Sequence, residues 1–580
     1  MLSNAGVAGL LGAAYVGMLV LQLNPELPLE PETIVPLYLR LAVAYGVLLA
    51  AAYFILVVSL QLFTDRPLSP GWLSVRLLAW LGSLTAGLAA LLMWLNLRGF
   101  GVALDADSAR AMALGAVATA SFAVALLIVA VMHDSFGRRG SRLSGAILTL
   151  TLAAAVAAPI AVRGPARSPT RGLRPPVLGE VVPLGETPRV VLIALDGASL
   201  DYISPAVAEG RLPNLGRILD TGASMHLVTL RPTQPGPVWT AVATGKYPPK
   251  NGVRSAASHR WSAESASIER LPDLCFFRGL VYAGLLSEVS NTSADLRASP
   301  LWSILSGQGM AVGVVGWPLT YPAQPVRGYV VSERLYGALD RPDAATDTDL
   351  MFPNDAFGLA RSVFDDLGLE EQTVVPVGAA ILPIVDTSLP GAPTGRDRTF
   401  RRVASTLQER LGARFVAVHY QGLDTVGHRF LRYAMPRSFG DVTEDERRRF
   451  GGVLDRYYSF VDGEVGLALE SLGPTDLLLV VSGFGMEPVS LGKRMLARVL
   501  GDPDLSGSHE RAPDGFMLAF GSAVASGRLP VGAIVDVTPT VLYFLGLPVA
   551  RDMDGFARTD LFTRTFTSEQ PITFIPTHDR

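Results

Sequence analysis

Hydrophobic positions along the chain fall into three regimes. Up to about residue 162 they form five long runs, at 5–23, 37–62, 77–95, 111–132 and 143–162. Each is close to the roughly 20 residues a helix needs to cross a bilayer. None carries a charge at its centre, and Arg40 lies near one end of the second. A soluble core helix can be this apolar once; five in series predict five transmembrane helices. The first run has no basic start and is followed by four more spans, so it reads as a span and not as a signal peptide. Residues 163–187 form the second regime, a Pro/Arg-rich linker. Pro165, Pro169, Pro175, Pro176 and Pro183 break any periodicity and favour a semi-extended spacer.

The third regime, 188–565, alternates short apolar runs with helical periodicity, and 566–580 is a tail. Arg189 to Leu195 (RVVLIAL), Phe415 to Tyr420 (FVAVHY), Asp476 to Ser482 (DLLLVVS) and Phe516 to Phe520 read as buried strands. The segment 309–317 adds a further strand. Leu212 to Thr221, 237–244 and Arg448 to Leu472 read as helices, the first with Pro213 at an early helical position. Alternating strands and helices predict a layered α/β domain around a mostly parallel central sheet. Ligands of such sheets gather at the carboxyl ends of strands. That points to Asp196, Asp424, His428 and the 483–487 turn.

Composition agrees with a membrane protein carrying a large domain. Hydrophobic residues make up 49% and charged residues only 17%, against roughly 25% charged in ordinary soluble domains. The formal net charge of −3 gives no electrostatic footprint for nucleic acid. The single cysteine, Cys275, excludes an intramolecular disulfide and a cysteine-cluster metal site.

Charge in the short loops sets an expected orientation. The 24–36 loop holds Glu26, Glu30 and Glu32 and no basic residue; the 96–110 loop is balanced. The 63–76 loop holds Arg66 and Arg76 against Asp65, and the 133–142 loop holds Arg138, Arg139 and Arg142 against Asp134. Basic loops face the cytoplasm. The expectation is a cytoplasmic N-terminus, an inner-membrane anchor and an extracytoplasmic domain after residue 162. Arg163, Arg167, Arg171 and Arg174 pull the other way.

Asp424-Thr-Val-Gly-His428 follows a strand, and on a helix residues four apart share one face. Asp and His are donors that Zn²⁺ or Mn²⁺ accepts. His509, in a Gly/Ser-rich turn, offers a third ligand, and Asp196 a fourth or a place on a second ion. The alternative is a solvated Asp and a satisfied His beside a strand end. No Walker A loop, dinucleotide-binding glycine fingerprint, His-Glu-x-x-His helix or Gly-x-Ser-x-Gly elbow occurs.

The segments ALDGASLDYI (194–203), GRLPNLGRILDTGA (210–223) and TLRPTQPGPVWTAVATGKYPPKNGV (229–253) resemble the opening of the alkaline phosphatase superfamily. The type I phosphodiesterase/nucleotide pyrophosphatase group and the related predicted phosphohydrolase/phosphomutase proteins are the most similar branch. WPLTYPAQPVRGYVVS (317–332), YQGLDTVGHRF (420–430), LLLVVSGFGM (477–486) and VDVTPTVLYFLGLPVARDMDG (535–555) continue the resemblance in order, over about 188–556. It implies a two-metal hydrolase with an alkoxide nucleophile. Asp424, His428 and His509 match the ligands of one ion, and Asp196 matches one ligand of the other. The remaining Asp-His pair of that second ion is replaced by Gly483 and Phe484. The nucleophile position falls on Pro235, which has no hydroxyl; Thr233 is the nearest alternative.

The resemblance therefore implies a degenerate centre holding at most one Zn²⁺ or Mn²⁺. The expected function is a binding or scaffold domain inactive toward ordinary phosphoesters. The alternative is a one-metal phosphohydrolase or phosphoryl transferase acting on an extracytoplasmic or lipid-linked substrate. A hydroxyl from Thr233 or Ser508 near the ion would favour the enzyme; an apolar plug at Phe484 would favour the binding domain. The expected partners are the lipid bilayer and a phosphorylated or lipid-linked ligand.

Overall fold

The computed structural model describes residues 1–63, 72–136, 142–166, 188–262, 266–339, 341, 346–373, 393–499 and 504–579. The 163–187 linker lies almost wholly outside them, as do parts of the 63–76 and 133–142 loops. The chain forms two compact units. One comprises Met1–Thr170 together with Ala257–Ser290, the other Arg171–Ala256 with Asn291–Arg580. Residues 257–290, inside the sequence stretch of the α/β domain, thus fold with the N-terminal helices.

The first unit contains five helices long and apolar enough to cross a membrane: Leu2–Leu23, Pro31–Leu62, Val75–Phe100, Ala106–His133 and Leu143–Arg163. They match the five apolar runs and extend several of them. Pro31–Leu62 carries Pro36 and a wider turn at Ala42–Gly46, where the regular hydrogen-bond ladder is displaced. Arg163 is buried at the end of the fifth helix. Its guanidinium donates to the carbonyls of Leu21 (2.7 Å), Asn24 (3.0 Å) and Leu27 (2.7 Å). Leu21 lies in the last turn of the first helix, Asn24 at its cap and Leu27 in the loop that follows, a helix end where a cation is favoured. Arg163 is thus a helix cap, which accounts for one of the arginines that opposed the loop pattern.

The second unit is built on one large mixed sheet. Its strands are β1 (Val190–Leu195), β2 (Ala223–Val228), β3 (Val312–Val315), β4 (Gly328–Val331), β5 (Met351–Phe352), β6 (Phe415–Tyr420), β7 (Leu477–Phe484), β8 (Asp514–Phe520), β9 (Gly527–Arg528) and β10 (Gly532–Ala533). The order across the sheet is β9-β2-β8-β7-β1-β6-β3-β4-β5, with β10 also on β2. The central strands β7, β1, β6, β3 and β4 run parallel, and β8 runs antiparallel beside β7. Successive residues of β1 and β7 point into different cores. Leu192, Ala194, Leu479 and Val481 lie in one, and Ile193, Leu195, Leu478 and Val480 in the other. Burial on both faces explains why these strands read as continuous apolar runs.

The predicted strands and helices are present with small shifts. The stretch 448–472 is two helices, Glu444–Phe450 and Val453–Glu470. Thr443 caps the first of these, its hydroxyl accepting from the Glu446 amide while the Glu446 carboxylate returns to the Thr443 amide. The C-terminal residues are built into this unit. Phe574–Ile575 pairs with Val549–Ala550, and the buried Lys246 ammonium holds Asp579 and Asp552, each at 2.6 Å.

Candidate metal centre

Three elements converge because of strand register. In parallel order, Leu195 of β1 pairs with Tyr420 of β6 and with Ser482 of β7, so the chain leaves all three strands at one edge. Asp196 follows β1 directly. β6 leads into the helix Gly422–Ala434, whose first turn carries Asp424 and whose second carries His428. The antiparallel β8 enters at the same edge, Asp514 opposite Phe484, and His509 precedes it. Gly197 lets β1's exit loop approach that helix. At φ 71° it takes a left-handed conformation, and a Cβ there would sit 2.9 Å from the Asp424 Cα.

Asp424, His428 and His509 each present a ligand atom, and all three atoms lie within 4.8 Å of one another. Both imidazoles are oriented by backbone carbonyls. His428 Nδ1 donates to Gly507 O at 2.8 Å and His509 Nδ1 donates to Thr233 O at 3.0 Å. With Nδ1 donating, Nε2 is the atom each ring would offer an ion, as ligating histidines do, and His428 Nε2 lies 3.5 Å from Asp424 Oδ2. Burial, and then the nearby His428, lower the His509 pKa to about 4, so it is neutral at physiological pH. Asp424 is buried, and its Oδ1 has no hydrogen-bond partner. Burial, and then the Asp196 carboxylate, push its carboxyl well above the usual carboxylate range. A buried carboxylate oxygen without a hydrogen-bond partner, beside two imidazoles, fits a divalent cation with N and O preferences.

Asp196 stands apart from this cluster. The Trp239 indole Nε1 donates to its Oδ1, and His419 Nε2 lies 3.3 Å from its Oδ2. Trp239 packs edge-on against Trp317 (5.2 Å between centroids) and against His419 (4.9 Å). Neither Trp239 nor His419 was singled out as a site residue in the sequence. The available signal was positional: His419 pairs with Ala194 near the end of β6, two residues from Asp196 across the sheet.

The other half of the site is filled. Phe484 is fully buried and its ring packs 5.0 Å from the His509 ring. A Cβ at Gly483 would collide with Val238 Cγ1, closer than the 3.0 Å that side-chain contacts tolerate. Val238 belongs to the helix Pro235–Thr244, which starts Pro235-Gly236-Pro237. Prolines at the first and third positions remove two of the amides that make a helix start an anion site, and with them the nucleophile's hydroxyl. The Thr233 hydroxyl is buried and donates to Leu230 O at 2.8 Å, so this residue enters the site through its carbonyl alone. Ser508 accepts from the Lys493 ammonium at 3.4 Å.

The architecture and site define a layered α/β domain of alkaline-phosphatase-like fold with a candidate Asp-His-His metal-ligand set at the carboxyl edge of its sheet. The pattern of the type I phosphodiesterase / nucleotide pyrophosphatase family matches residues 190–517. That span is more than half of the chain, and the chain belongs to that family, part of the alkaline phosphatase superfamily. No curated protein matches the chain.

Proposed function

We propose that this chain is a membrane-bound member of its family that holds one divalent ion, zinc by donor chemistry, and binds a phosphorylated or lipid-linked ligand without the family's covalent hydrolysis. The observation that carries the reading is the plug. Val238 fills the space a side chain at 483 would need, Phe484 packs where an imidazole ligand would stand, and Trp239 holds Asp196. An ion bound by Asp424, His428 and His509 would supply a fixed positive charge for a phosphoryl oxygen. This chain's own residues orient that charge through Gly507 O and Thr233 O, and the position the resemblance gives the nucleophile is Pro235, which has no hydroxyl.

The alternative, one-metal hydrolysis by water, is favoured by the intact ligand set itself. Turnover of an aryl phosphodiester and an aryl phosphomonoester by the purified full chain, with added zinc, manganese or magnesium, separates the two. No metal-dependent turnover is expected. Turnover abolished by Asp424→Ala and unchanged by Thr233→Ala would establish the alternative. We also read the five helices as inner-membrane spans with the α/β unit on the extracytoplasmic side. The support is the loop-charge pattern, now without Arg163 as an opposing term.

A further inference from the structure

Polar side chains buried in a membrane-spanning bundle need a reason. Three in the first unit share one. Asn24 Nδ2 donates to Arg270 O at 2.9 Å, and Arg270 N donates to Asn24 Oδ1 at 2.8 Å. Asn96 repeats the arrangement on Asp273: Nδ2 to the carbonyl at 3.1 Å, and the amide to Oδ1 at 2.7 Å. Tyr45 donates its hydroxyl to Cys275 O at 2.6 Å, and its ring meets Phe277 at 5.4 Å. The Arg270 guanidinium reaches Ala103 O. Irregular backbone at the level of a bilayer is tolerated only where its polar groups are satisfied by protein. These side chains do that for 270–275.

Their depth follows from helix rise. At about 1.5 Å per residue, Asn24 lies about 33 Å along its helix from Leu2, Tyr45 about 26 Å from Leu62 and Asn96 about 32 Å from Val75. Those starting points are the helix ends on the opposite side of the bundle. A hydrocarbon core is roughly 30 Å thick. All three anchors therefore stand near one plane, the boundary between hydrocarbon and headgroups, on the side where the chain leaves the fifth helix.

At that plane the segment turns apolar side chains outward. Leu274 is 74% exposed, Phe276 59% and Leu285 55%. Leu274 (φ 63°) and Phe276 (φ 58°) hold left-handed backbone conformations, rare for bulky residues and sustained only where the surroundings impose them. Cys275 and Phe277, between and after them, are buried in the helical core. The alternation drives Cys275 and Phe277 into the bundle and Leu274 and Phe276 away from it.

We infer that residues 270–286 are an interfacial lipid-insertion element, whose Leu274, Phe276 and Leu285 enter the headgroup–acyl boundary of the leaflet on the chain's exit side. The occupant is a glycerophospholipid leaflet, because the exposed residues continue the plane set by the span ends. Such insertion typically reaches about 5–10 Å into the boundary. The inference rests on the five helices being spans, and the test separates the two.

Spin labels are placed one at a time at 274, 276 and 285 in a Cys275→Ala full-length chain reconstituted in phosphatidylethanolamine–phosphatidylglycerol nanodiscs. A label at Leu150, on the exposed face of the fifth helix, and one at Phe556, exposed in the α/β unit, are the references. Expected is oxygen access with several-fold protection from a water-soluble nickel relaxant at 274, 276 and 285, shallower than at 150. Nickel access equal to that at 556 overturns the inference, and so does protection from both relaxants, which marks a protein contact. A water-exposed label at 150 would instead remove the span reading itself. In the native-cysteine background, Phe276→Trp should add fluorescence quenched by brominated lipid. No added quenching by the bromolipid counts against insertion.

Discussion

The filled half of the centre makes a quantitative prediction about two residues from different elements. Gly483 is the last residue but one of β7, and Val238 lies in the first turn of the helix Pro235–Thr244. Val238 is fully buried, and its Cγ1 occupies the place where a Cβ on residue 483 would go. Carbon atoms rest at about 3.5–4.0 Å, so Gly483→Ala forces one side to move. Overpacking of this kind costs about 1–3 kcal/mol. Val238→Ala alone removes two buried methyl groups, a loss of about 1.6 kcal/mol at 0.8 kcal/mol each, plus a cavity contribution. In the double variant the new methyl group enters the space the valine vacates. The double variant should then lose less stability than the two single variants together, with a coupling of about 1–2 kcal/mol.

The assay is thermal unfolding of the purified full chain in one detergent, followed by tryptophan fluorescence. The expected result is that Val238→Ala lowers the melting temperature less in the Gly483→Ala background than in the native one. The relief amounts to a few degrees at the usual scaling of stability to melting temperature. If Val238→Ala lowers the melting temperature as much in the Gly483→Ala background as in the native one, the two residues do not compete. The plug would then be no explanation for the missing ligand. If they do compete, adding back the aspartate at 483 without removing Val238 should fail to create a second metal site.

Elemental analysis of the purified chain should find at most one tightly held divalent ion, and His428→Ala, which removes one of three protein donors, should sharply weaken it; two retained ions would contradict the site as described. Arg163→Ala should lower the melting temperature by several degrees, since one buried cation satisfies three carbonyls, each such bond contributing about 1.5–3 kcal/mol; Arg163→Lys should recover only part, lacking the planar fork. Cysteines introduced in the 133–142 loop of a Cys275→Ala chain should resist a membrane-impermeant thiol reagent in intact cells, and one at Phe556 should react; the reverse pattern would invert the orientation.

The fold was legible where one physical term dominates. Unbroken apolar runs marked the spans and the doubly buried strands β1, β6 and β7, because burial on all sides leaves no polar positions to interrupt them. Asp424 and His428 stand out by helical spacing and His509 by its Gly/Ser-rich turn, and the structure brings the three together. What stayed hidden depends on packing between segments distant in sequence. Val238 against Gly483, or Trp239 against Asp196, has no periodicity or motif to announce it. The role of 257–290 was hidden for the same reason. Of its partners, Tyr45 sits inside an apolar run and Asn24 and Asn96 directly follow two others, and no pattern there announces a distant segment.

The survival of Asp196 is the part of the site that most needs a cause. A carboxylate buried to 1% exposure is costly unless something neutralises or hydrogen-bonds it. In a two-ion centre a cation would do this. Here the indole N–H of Trp239 donates to one oxygen and His419 faces the other, inside an aromatic wall that includes Trp317. The Trp239 N–H supplies a hydrogen bond to the carboxylate, while His419 Nε2, 3.3 Å from the other oxygen, forms no hydrogen bond. On the one-ion reading proposed above, an imidazole at 484 would be a buried polar ring in need of a partner, whereas the phenyl ring packs against His509. Val238 Cγ1 takes the space a side chain at 483 would need and Trp239 donates to Asp196, so these contacts tie both sides of the site into one packed unit.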